Sequence, residues 1–279
     1  MLKYELIQEQ LIYEGTVAES NFFHPDLLSE EVALLTHTKR YWDQLIEVNL
    51  SPAEERAIGF PINEKFIHRG RHISFGTVQC ALFALEHGCS MNIAGGTHHA
   101  FADHGEGYCC LNDQAIAARY LLQQGLAQKI LIVDLDVHQG NGTASIFRDQ
   151  PEVFTFSMHG ERNYPLRKEQ SDLDIGLADF MTDEPYLNLL RQYLPRICAD
   201  FEPDFIFYQS GVDILESDKL GRLSISRAGC RERDKIVLSF CQTNHIPVAI
   251  SMGGGYSPRL ADIVEAHANT YRVAQEVFF

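Results

Sequence analysis

From Met91 onward, the chain alternates short, almost continuous apolar runs with longer amphipathic segments. This pattern is typical of strands that are buried on both faces of a parallel sheet and are followed by covering helices. It predicts an α/β fold for residues 1–279, with one three-layer α/β/α domain around a central, mainly parallel β-sheet. The predicted strands are MNIAGG, KILIVDLDV, EVFTFSM, DFIFYQSG and IPVAISMGGG. The predicted helices are Asn112–Gln124, Thr143–Arg148, Glu184–Asp200, Ser226–Asn244 and Pro258–Glu276.

The segment before His87 is predicted to be mostly helical. It contains two helix-like stretches, SEEVALLTHTKRYWDQLIEV and GTVQCALFALEHG. Ser29, with acidic residues after it, has the features of a helix start. The sequence contains no repeat, low-complexity tract or Pro/Gly/Ser-rich linker that would divide it, so a single domain is expected.

The formal charge of −15 restricts the partners. A general nucleic-acid binder needs a basic face, whereas an acidic surface favours cationic partners such as lysine-rich peptides or polyamines. The seven cysteines form no C-x-x-C pair, which is typical of reduced thiols in the cytosol. The sequence also has no signal-peptide core and no apolar run of about 18 residues. These features predict a soluble cytoplasmic protein that binds neither nucleic acid nor membrane.

Four predicted strands end in glycine together with a chemically reactive side chain. In open parallel sheets, ligands bind at the carboxyl ends of the strands, so these residues are expected to meet in one site. The candidates, in chain order, are His98, His99, Asp134, Asp136, His138, Asp213 and Tyr256.

Asp136, His138 and Asp213 are candidate metal ligands. Two carboxylates and one imidazole balance a divalent cation and leave a coordination position open, as in catalytic zinc sites. A set of nitrogen and oxygen donors suits zinc or ferrous iron. Asp134 would then orient a histidine from behind. The alternative is that Asp134 and Asp136 cap loops while His138 is buried and neutral.

His98 and His99 can supply a general base and a general acid if both line a cleft. Tyr256 can donate a hydrogen bond to a developing oxyanion. The alternatives are ordinary surface histidines and a tyrosine that only closes a strand end. Two further features are weak: GNGTAS nearly matches a nucleotide-binding turn, but it follows two aspartates, and Cys109 and Cys110 lie in no known nucleophile motif.

Four motifs together resemble the zinc-dependent histone deacetylase family: GGTHHAFADHGEGYCCLND, VDLDVHQGNGTASIF, SGVDILESDKLGRLSIS and MGGGYSP. The resemblance extends from about Leu27 to the C-terminus. HQGNG and DILESDKLGRLSIS most resemble the class IV branch and its bacterial relatives. The resemblance implies an arginase/deacetylase-like fold and hydrolysis of N-acyl-lysine by a metal-dependent enzyme.

The resemblance also implies a role for each candidate residue. Asp136, His138 and Asp213 match the zinc ligands. His98 and His99 match the tandem catalytic histidines, with His99 as general base, and Tyr256 matches the oxyanion-stabilising tyrosine. Asp134 matches the carboxylate behind the first histidine, and Asn141 the partner of the second. A structural potassium ion is implied at the backbone carbonyls of Asp134, Asp136, His138 and Met158 and the Ser157 hydroxyl. The implied substrate tunnel is lined by Gly107, Tyr108, Leu220, Gly254 and Gly255.

The chain departs from the family pattern in two places. Asn141 stands where several classes have Asp, which implies a less basic His99. The chain begins at MLKYELIQEQ, whereas family members begin with a strand and a rim loop, so altered access to the tunnel is expected. Three other functions stay open: hydrolysis of acetylpolyamines or another small amide, ureohydrolysis of the arginase type, and acyl-lysine binding without catalysis.

Overall fold

The centre of the fold is a six-stranded sheet, here described from a computed structural model that covers residues 2–279. The strands run in the order β1-β6-β5-β2-β3-β4, and every neighbouring pair is parallel. Their bounds are β1 Cys89–Asn92, β2 Ile130–Asp134, β3 Val153–Gly160, β4 Leu173–Leu177, β5 Phe205–Gln209 and β6 Val248–Ser251.

Helices cover both faces of this sheet. Their bounds are α1 Leu2–Tyr13, α2 Glu30–Ala33, α3 Lys39–Ile46, α4 Pro52–Ile58, α5 Glu64–His87, α6 Asp113–Gln123, α7 Asn141–Phe147, α8 Asp183–Phe201, α9 Arg227–Thr243 and α10 Leu260–Phe278. Within residues 2–279, no helix combines the length and the apolar character needed to cross a membrane. The five predicted helices agree with α6 to α10 within two residues at each end.

Alternation of side chains along the strands produces the two apolar layers. On β2, Leu131 and Val133 belong to the cluster that includes α8, α9 and α10. Ile130 and Ile132 belong to the opposite cluster, which includes α3, α5 and α6. Because both faces are buried, the strand sequences are continuously apolar. The predicted three-layer α/β/α domain is confirmed.

The predicted strand KILIVDLDV is too long, because β2 ends at Asp134. The Asp134 side chain accepts a hydrogen bond from the backbone N–H of Asp136 at 3.1 Å, and the Asp136 side chain accepts one from the N–H of His138 at 3.0 Å. Side-chain acceptors therefore take the backbone donors that would otherwise extend the strand. Asp136 and His138 lie in a loop, where they are not restricted to one face of a strand.

Other features also differ from the predictions. The predicted strand MNIAGG begins two residues late and ends four residues late, because β1 covers Cys89–Asn92. The predicted strand IPVAISMGGG extends four residues beyond the end of β6 at Ser251. Strand β4 was not predicted, because most of it is only partly buried and its sequence, LDIGL, includes a charged residue and a glycine. The stretch that begins at Ser29 was predicted as one helical region, but it forms two helices, α2 and α3. Ser29 caps α2 as expected, and Thr38 starts a second helix by accepting a hydrogen bond from Tyr41.

Candidate metal centre and active site

The segments after four strands converge at the carboxyl edge of the sheet. Strand β1 leads to His98 and His99, β2 to the metal-ligand candidates of the Asp134–His138 segment, β5 to Asp213 and β6 to Tyr256. Both histidines after β1 are almost completely buried, as are all the acidic candidates. The predicted convergence of these residues is therefore present in the fold.

Asp136, His138 and Asp213 form a compact buried cluster. Nδ1 of His138 lies 3.1 Å from Oδ1 of Asp136 and 3.2 Å from Oδ2 of Asp213. One ligand atom from each residue lies within 4.8 Å of the other two. The ring nitrogen and both carboxylates therefore face a common point, as a metal site requires.

Backbone donors fix the orientation of both carboxylates. The N–H of Val137 donates to Asp213 at 3.0 Å, and the N–H of Gly254 donates to Asp136 at 2.8 Å. A Cβ at position 254 would overlap the Asp213 carboxylate, so only glycine allows this approach of the β6 loop. The ligand candidates are thus held in place before any cation binds.

The electrostatics of the cluster fit a cation. Burial and the neighbouring Asp136 carboxylate raise the pKa of Asp213 to about 7. Burial alone would lower the pKa of His138, but hydrogen bonds and charge from Asp136 and Asp213 outweigh it and raise that pKa to about 10. The cluster therefore favours positive charge. Either a proton or a divalent cation can provide this charge. A metal site is compatible with this donor set.

Asp134 points away from the metal-ligand cluster and partners His98. Its Oδ2 lies 2.6 Å from Nδ1 of His98. Burial would lower the pKa of His98, but the charges of Asp134 and Asp136 outweigh it and raise that pKa. His98 is therefore the histidine of the pair that holds a proton more readily.

His99 has a different partner and the opposite shift. Its Nδ1 lies 2.6 Å from Oδ1 of Asn141, an uncharged acceptor. Burial, followed by the nearby charges of His98 and His138, holds the pKa of His99 well below its ordinary value. The hydrogen bond to the amide oxygen places the proton of the neutral ring on Nδ1 and leaves a lone pair on Nε2.

Tyr256 lies beside the cluster, at the end of the β6 loop. Its ring centroid is 6.4 Å from that of His138. Its backbone N–H donates to Oδ2 of Asp218 at 2.6 Å, and this hydrogen bond fixes the backbone at Tyr256. Burial raises the pKa of the phenol, so it keeps its proton at neutral pH and remains a donor.

The predicted tunnel residues occupy different positions. Gly107 lies directly over the imidazole of His99, since a Cβ there would come within 2.7 Å of the ring. Tyr108 and Leu220 are about half-exposed, as a rim requires. Gly254 contacts the ligand carboxylates, and an added Cβ at Gly255 would meet Val212, Ile263 and His267. Gly254 therefore lies against the metal-ligand cluster, and Gly255 lies against residues next to it. Both are deeper than the half-exposed rim formed by Tyr108 and Leu220.

Sequence reasoning missed two residues of this site. The ring of Tyr164 stands edge-on to His99, with centroids 5.0 Å apart. Glu106 accepts hydrogen bonds from Asn141 and from the Tyr164 hydroxyl. Tyr164 lies in the polar loop after β3, four positions beyond Gly160, which ends that strand. The predicted strand EVFTFSM ended at Met158, before this glycine, so the pattern that found the other residues did not extend to Tyr164. Glu106 lies within the motif GGTHHAFADHGEGYCCLND, but the sequence does not indicate that it contacts Asn141 and Tyr164.

The predicted potassium site lies behind Asp134. Ser157 pairs with Asp134 in the register of β2 and β3, and its hydroxyl lies 2.9 Å from Nδ1 of His159. Asp134 and Ser157 are among the residues that line a cavity of about 10 Å³. The potassium site stays a prediction.

The two weak sequence features do not form sites. A Cβ at Gly140, in the nucleotide-like turn, would collide with the Asp134 carboxylate, which would repel a phosphate. Burial raises the pKa of Cys110 to about 12 and that of Cys109 well above its ordinary value. Neither cysteine is an activated thiolate.

Comparison with known families identifies the chain. The family model described as "Histone deacetylase domain" matches residues 2–271. The chain belongs to the histone deacetylase family. It is 43% identical to an uncharacterized protein of Picosynechococcus sp., over 100% of this chain and 93% of that protein. It is 28% identical to histone deacetylase 2 of Arabidopsis thaliana, over 91% of this chain and 68% of the relative. Acetoin utilization protein AcuC of Bacillus subtilis is also 28% identical, over 92% and 71% respectively.

Solved structures of this family share the fold. A histone deacetylase homologue in complex with SAHA matches with a TM-score of 0.84 at 24% identity, over 97% of this chain and 77% of that chain. The HD domain of HDA15 matches with a TM-score of 0.81 at 21% identity, over 98% and 83%. The predicted family is thus confirmed, whereas the class IV assignment stays a prediction.

Proposed function

We propose that this histone deacetylase family protein is a metal-dependent amidohydrolase that removes the acyl group from N-acyl-lysine. The observation that carries the proposal is the convergence of the Asp136, His138 and Asp213 donors beside two histidines with opposite pKa shifts. A module that only binds acyl-lysine has no need for a base next to an acid.

The proposed reaction assigns one task to each residue. A divalent cation at the Asp136, His138 and Asp213 donors would polarise the amide carbonyl and make a water more acidic. His99, which is neutral with a free Nε2, takes the proton as water attacks the carbonyl carbon. Tyr256 donates a hydrogen bond to the developing oxyanion. His98, kept protonated by Asp134, gives a proton to the amine as the C–N bond breaks.

Zinc is the proposed metal, with ferrous iron as the alternative that the same donors allow. Potassium is proposed as a structural ion at the Asp134, Asp136 and His138 segment and at Ser157 and Met158. All seven cysteines are free, which supports a reducing, cytoplasmic location.

A small acylated amine, such as an acetylpolyamine, is the second candidate substrate. The net charge of −15 and the Glu106 carboxylate close to Tyr164 favour a cationic molecule as much as a lysine peptide. The chemistry at the metal-ligand cluster would be the same for both substrates.

The test is hydrolysis of one lysine peptide carrying acetyl, octanoyl or myristoyl, alongside acetylspermidine. Each reaction is run with the holoprotein, after chelation and after addition of zinc. We expect turnover that disappears on chelation and returns with zinc, with one acyl chain clearly preferred. Unchanged turnover after complete removal of metal would contradict the proposed chemistry, and no turnover on any substrate would contradict the proposed activity.

A further inference from the structure

The loop that carries Glu106 is rigidly anchored over His99. Glu106 and Cys109 exchange backbone hydrogen bonds of 3.0 and 2.9 Å. The N–H groups of Gly107 and Tyr108 donate to the last turn of α4 at 3.0 and 2.8 Å. Hydrogen bonds to Cys109 and to α4 therefore fix the backbone at and next to Glu106.

The Glu106 carboxylate closes a chain of hydrogen bonds that begins at His99. Oδ1 of Asn141 lies 2.6 Å from Nδ1 of His99, and Nδ2 of Asn141 lies 3.4 Å from Oε1 of Glu106. The Tyr164 hydroxyl donates to the same Oε1. The other oxygen, Oε2, lies 3.9 Å from Nε2 of His104. Glu106 therefore touches Asn141 and Tyr164 but not His99 itself.

The chemistry of a carboxylate decides the orientation of the Asn141 amide. An amide can present either its oxygen or its NH₂ group to a neighbour, but an ionised carboxylate can only accept hydrogen bonds. The NH₂ group of Asn141 must therefore face Glu106, which leaves the amide oxygen to face His99. The amide oxygen in turn requires the proton of the His99 ring to be on Nδ1.

We propose that Glu106 is a positioning residue that fixes the tautomer of His99 through Asn141. In family members with Asp in place of Asn141, one carboxylate orients the histidine directly. Here the Asn141 amide orients the His99 ring, and the Glu106 carboxylate orients the amide. The negative charge is therefore one residue further from the ring. The tautomer is a property of the chain alone, whereas its use in catalysis rests on the proposed function.

Four variants separate this role from a structural one. Glu106→Met keeps the volume but removes both acceptors, whereas Glu106→Gln keeps an oxygen at the Oε1 position. Asn141→Asp combined with Glu106→Met provides an acceptor for His99 that needs no orientation. Glu161→Met is the matched control, because Glu161 is exposed on the loop that leads to Tyr164 and makes no side-chain hydrogen bond within residues 2–279.

The first readout is NMR of the metal-free protein with ¹⁵N-labelled histidine, which shows which ring nitrogen of His99 carries the proton. We expect a single Nδ1–H form in the unmodified protein, in Glu106→Gln and in Glu161→Met. Glu106→Met should show a mixture of tautomers, and the double variant should restore the single form. A single Nδ1–H form in Glu106→Met would overturn the proposal.

The second readout is steady-state kinetics of the holoenzymes. Glu106→Met should lower kcat about 10-fold, which is typical when a residue that orients a site residue is removed. KM should stay within about 2-fold of its value in the unmodified enzyme. Tyr164→Phe removes the other partner of Glu106 and should leave the tautomer unchanged. A tautomer mixture in Tyr164→Phe equal to that in Glu106→Met would show that Glu106 acts through Tyr164. If the unmodified enzyme has no turnover, the proposed function fails, and the NMR result still decides the role of Glu106.

Discussion

At the scale of single residues, two adjacent histidines differ because their partners differ. His98 faces the carboxylate of Asp134 and has a raised pKa, whereas His99 faces the amide of Asn141 and has a lowered one. Identical side chains thus become a candidate acid and a candidate base. Pairs whose environments separate their pKa values in this way are the usual mark of acid and base assignments.

Tyr256→Phe should lower kcat by about 10²- to 10³-fold, the cost of removing one donor to an oxyanion. Metal binding should not change, since the backbone of Tyr256 is fixed by Asp218 and its hydroxyl is not among the cluster atoms. Turnover and bound metal are measured on the same samples. Tyr193→Phe on α8 serves as the control, and a Tyr256→Phe enzyme with unchanged kcat would remove Tyr256 from the mechanism.

Sequence alone could predict the residues that follow strands, because each lies in a recognisable glycine-rich motif. It could not predict the proposed role of Glu106, because that role depends on a hydrogen bond to Asn141, 35 positions further along the chain. Nor could it predict Tyr164, because a polar loop gives no indication of where its aromatic ring will pack. Contacts between distant loops are set by tertiary structure, which local patterns do not encode.

At the scale of elements, one buried arginine holds the ends of β2 and β5 together. Arg233 of α9 is completely buried. Its guanidinium donates to the carbonyl oxygens of Leu135, Ser210 and Gly211 at 3.3, 3.1 and 2.5 Å, and it also pairs with Asp234. Leu135 and Gly211 each precede a ligand candidate by one or two positions. The metal-ligand cluster is therefore supported from beneath by α9.

Arg233→Met should destabilise the protein by about 3–5 kcal/mol, because it leaves the buried Asp234 charge without its partner. It should also weaken metal binding, since the Leu135 and Gly211 carbonyls lose their donor. Urea unfolding and metal titration are the measurements. The control is Arg231→Met, which breaks an exposed pair with Glu276 and should cost less than about 1 kcal/mol. Equal stability losses in the two variants would contradict the assigned role of Arg233.

The elements themselves were predictable where burial is complete. Strands β2 and β5 are buried at every position, and each sequence is apolar up to its last residue, Asp134 in β2 and Gln209 in β5. Strand β4 is an edge strand with one buried residue in five, so its sequence lacks that signal. The end of β2 was unpredictable, because the Asp134 side chain, not a glycine or proline, accepts the hydrogen bond from the backbone N–H of Asp136.

For the molecule as a whole, burial holds the pKa of His37 low, so the stability of the fold should depend on pH. His37 lies in the loop that joins α2 to α3, and its side chain is buried. Its Nε2 accepts a hydrogen bond from the backbone N–H of Asn112 at 3.1 Å. Burial lowers the pKa of His37 from 6.5 to about 4. Between these values the unfolded chain binds a proton that the folded protein does not, so stability falls as the pH falls.

His37→Gln should reduce this loss of stability. Between pH 7 and pH 5, the buried histidine should cost the unmodified protein about 2 kcal/mol that the variant does not lose, because glutamine does not titrate. Urea unfolding at the two pH values measures the difference, and His24→Gln is the control. The same loss of stability in the unmodified protein and in His37→Gln would contradict a neutral, buried His37.

The metal site is tested by measuring the amount of zinc bound per chain, together with turnover, in the unmodified protein and in His138→Ala. Nδ1 of His138 lies between the two carboxylates, so its removal leaves the cluster without its only nitrogen donor. We expect one zinc per chain in the unmodified protein, and neither stoichiometric zinc nor activity in the variant. Stoichiometric zinc in active His138→Ala would show that Asp136, His138 and Asp213 do not form the metal site.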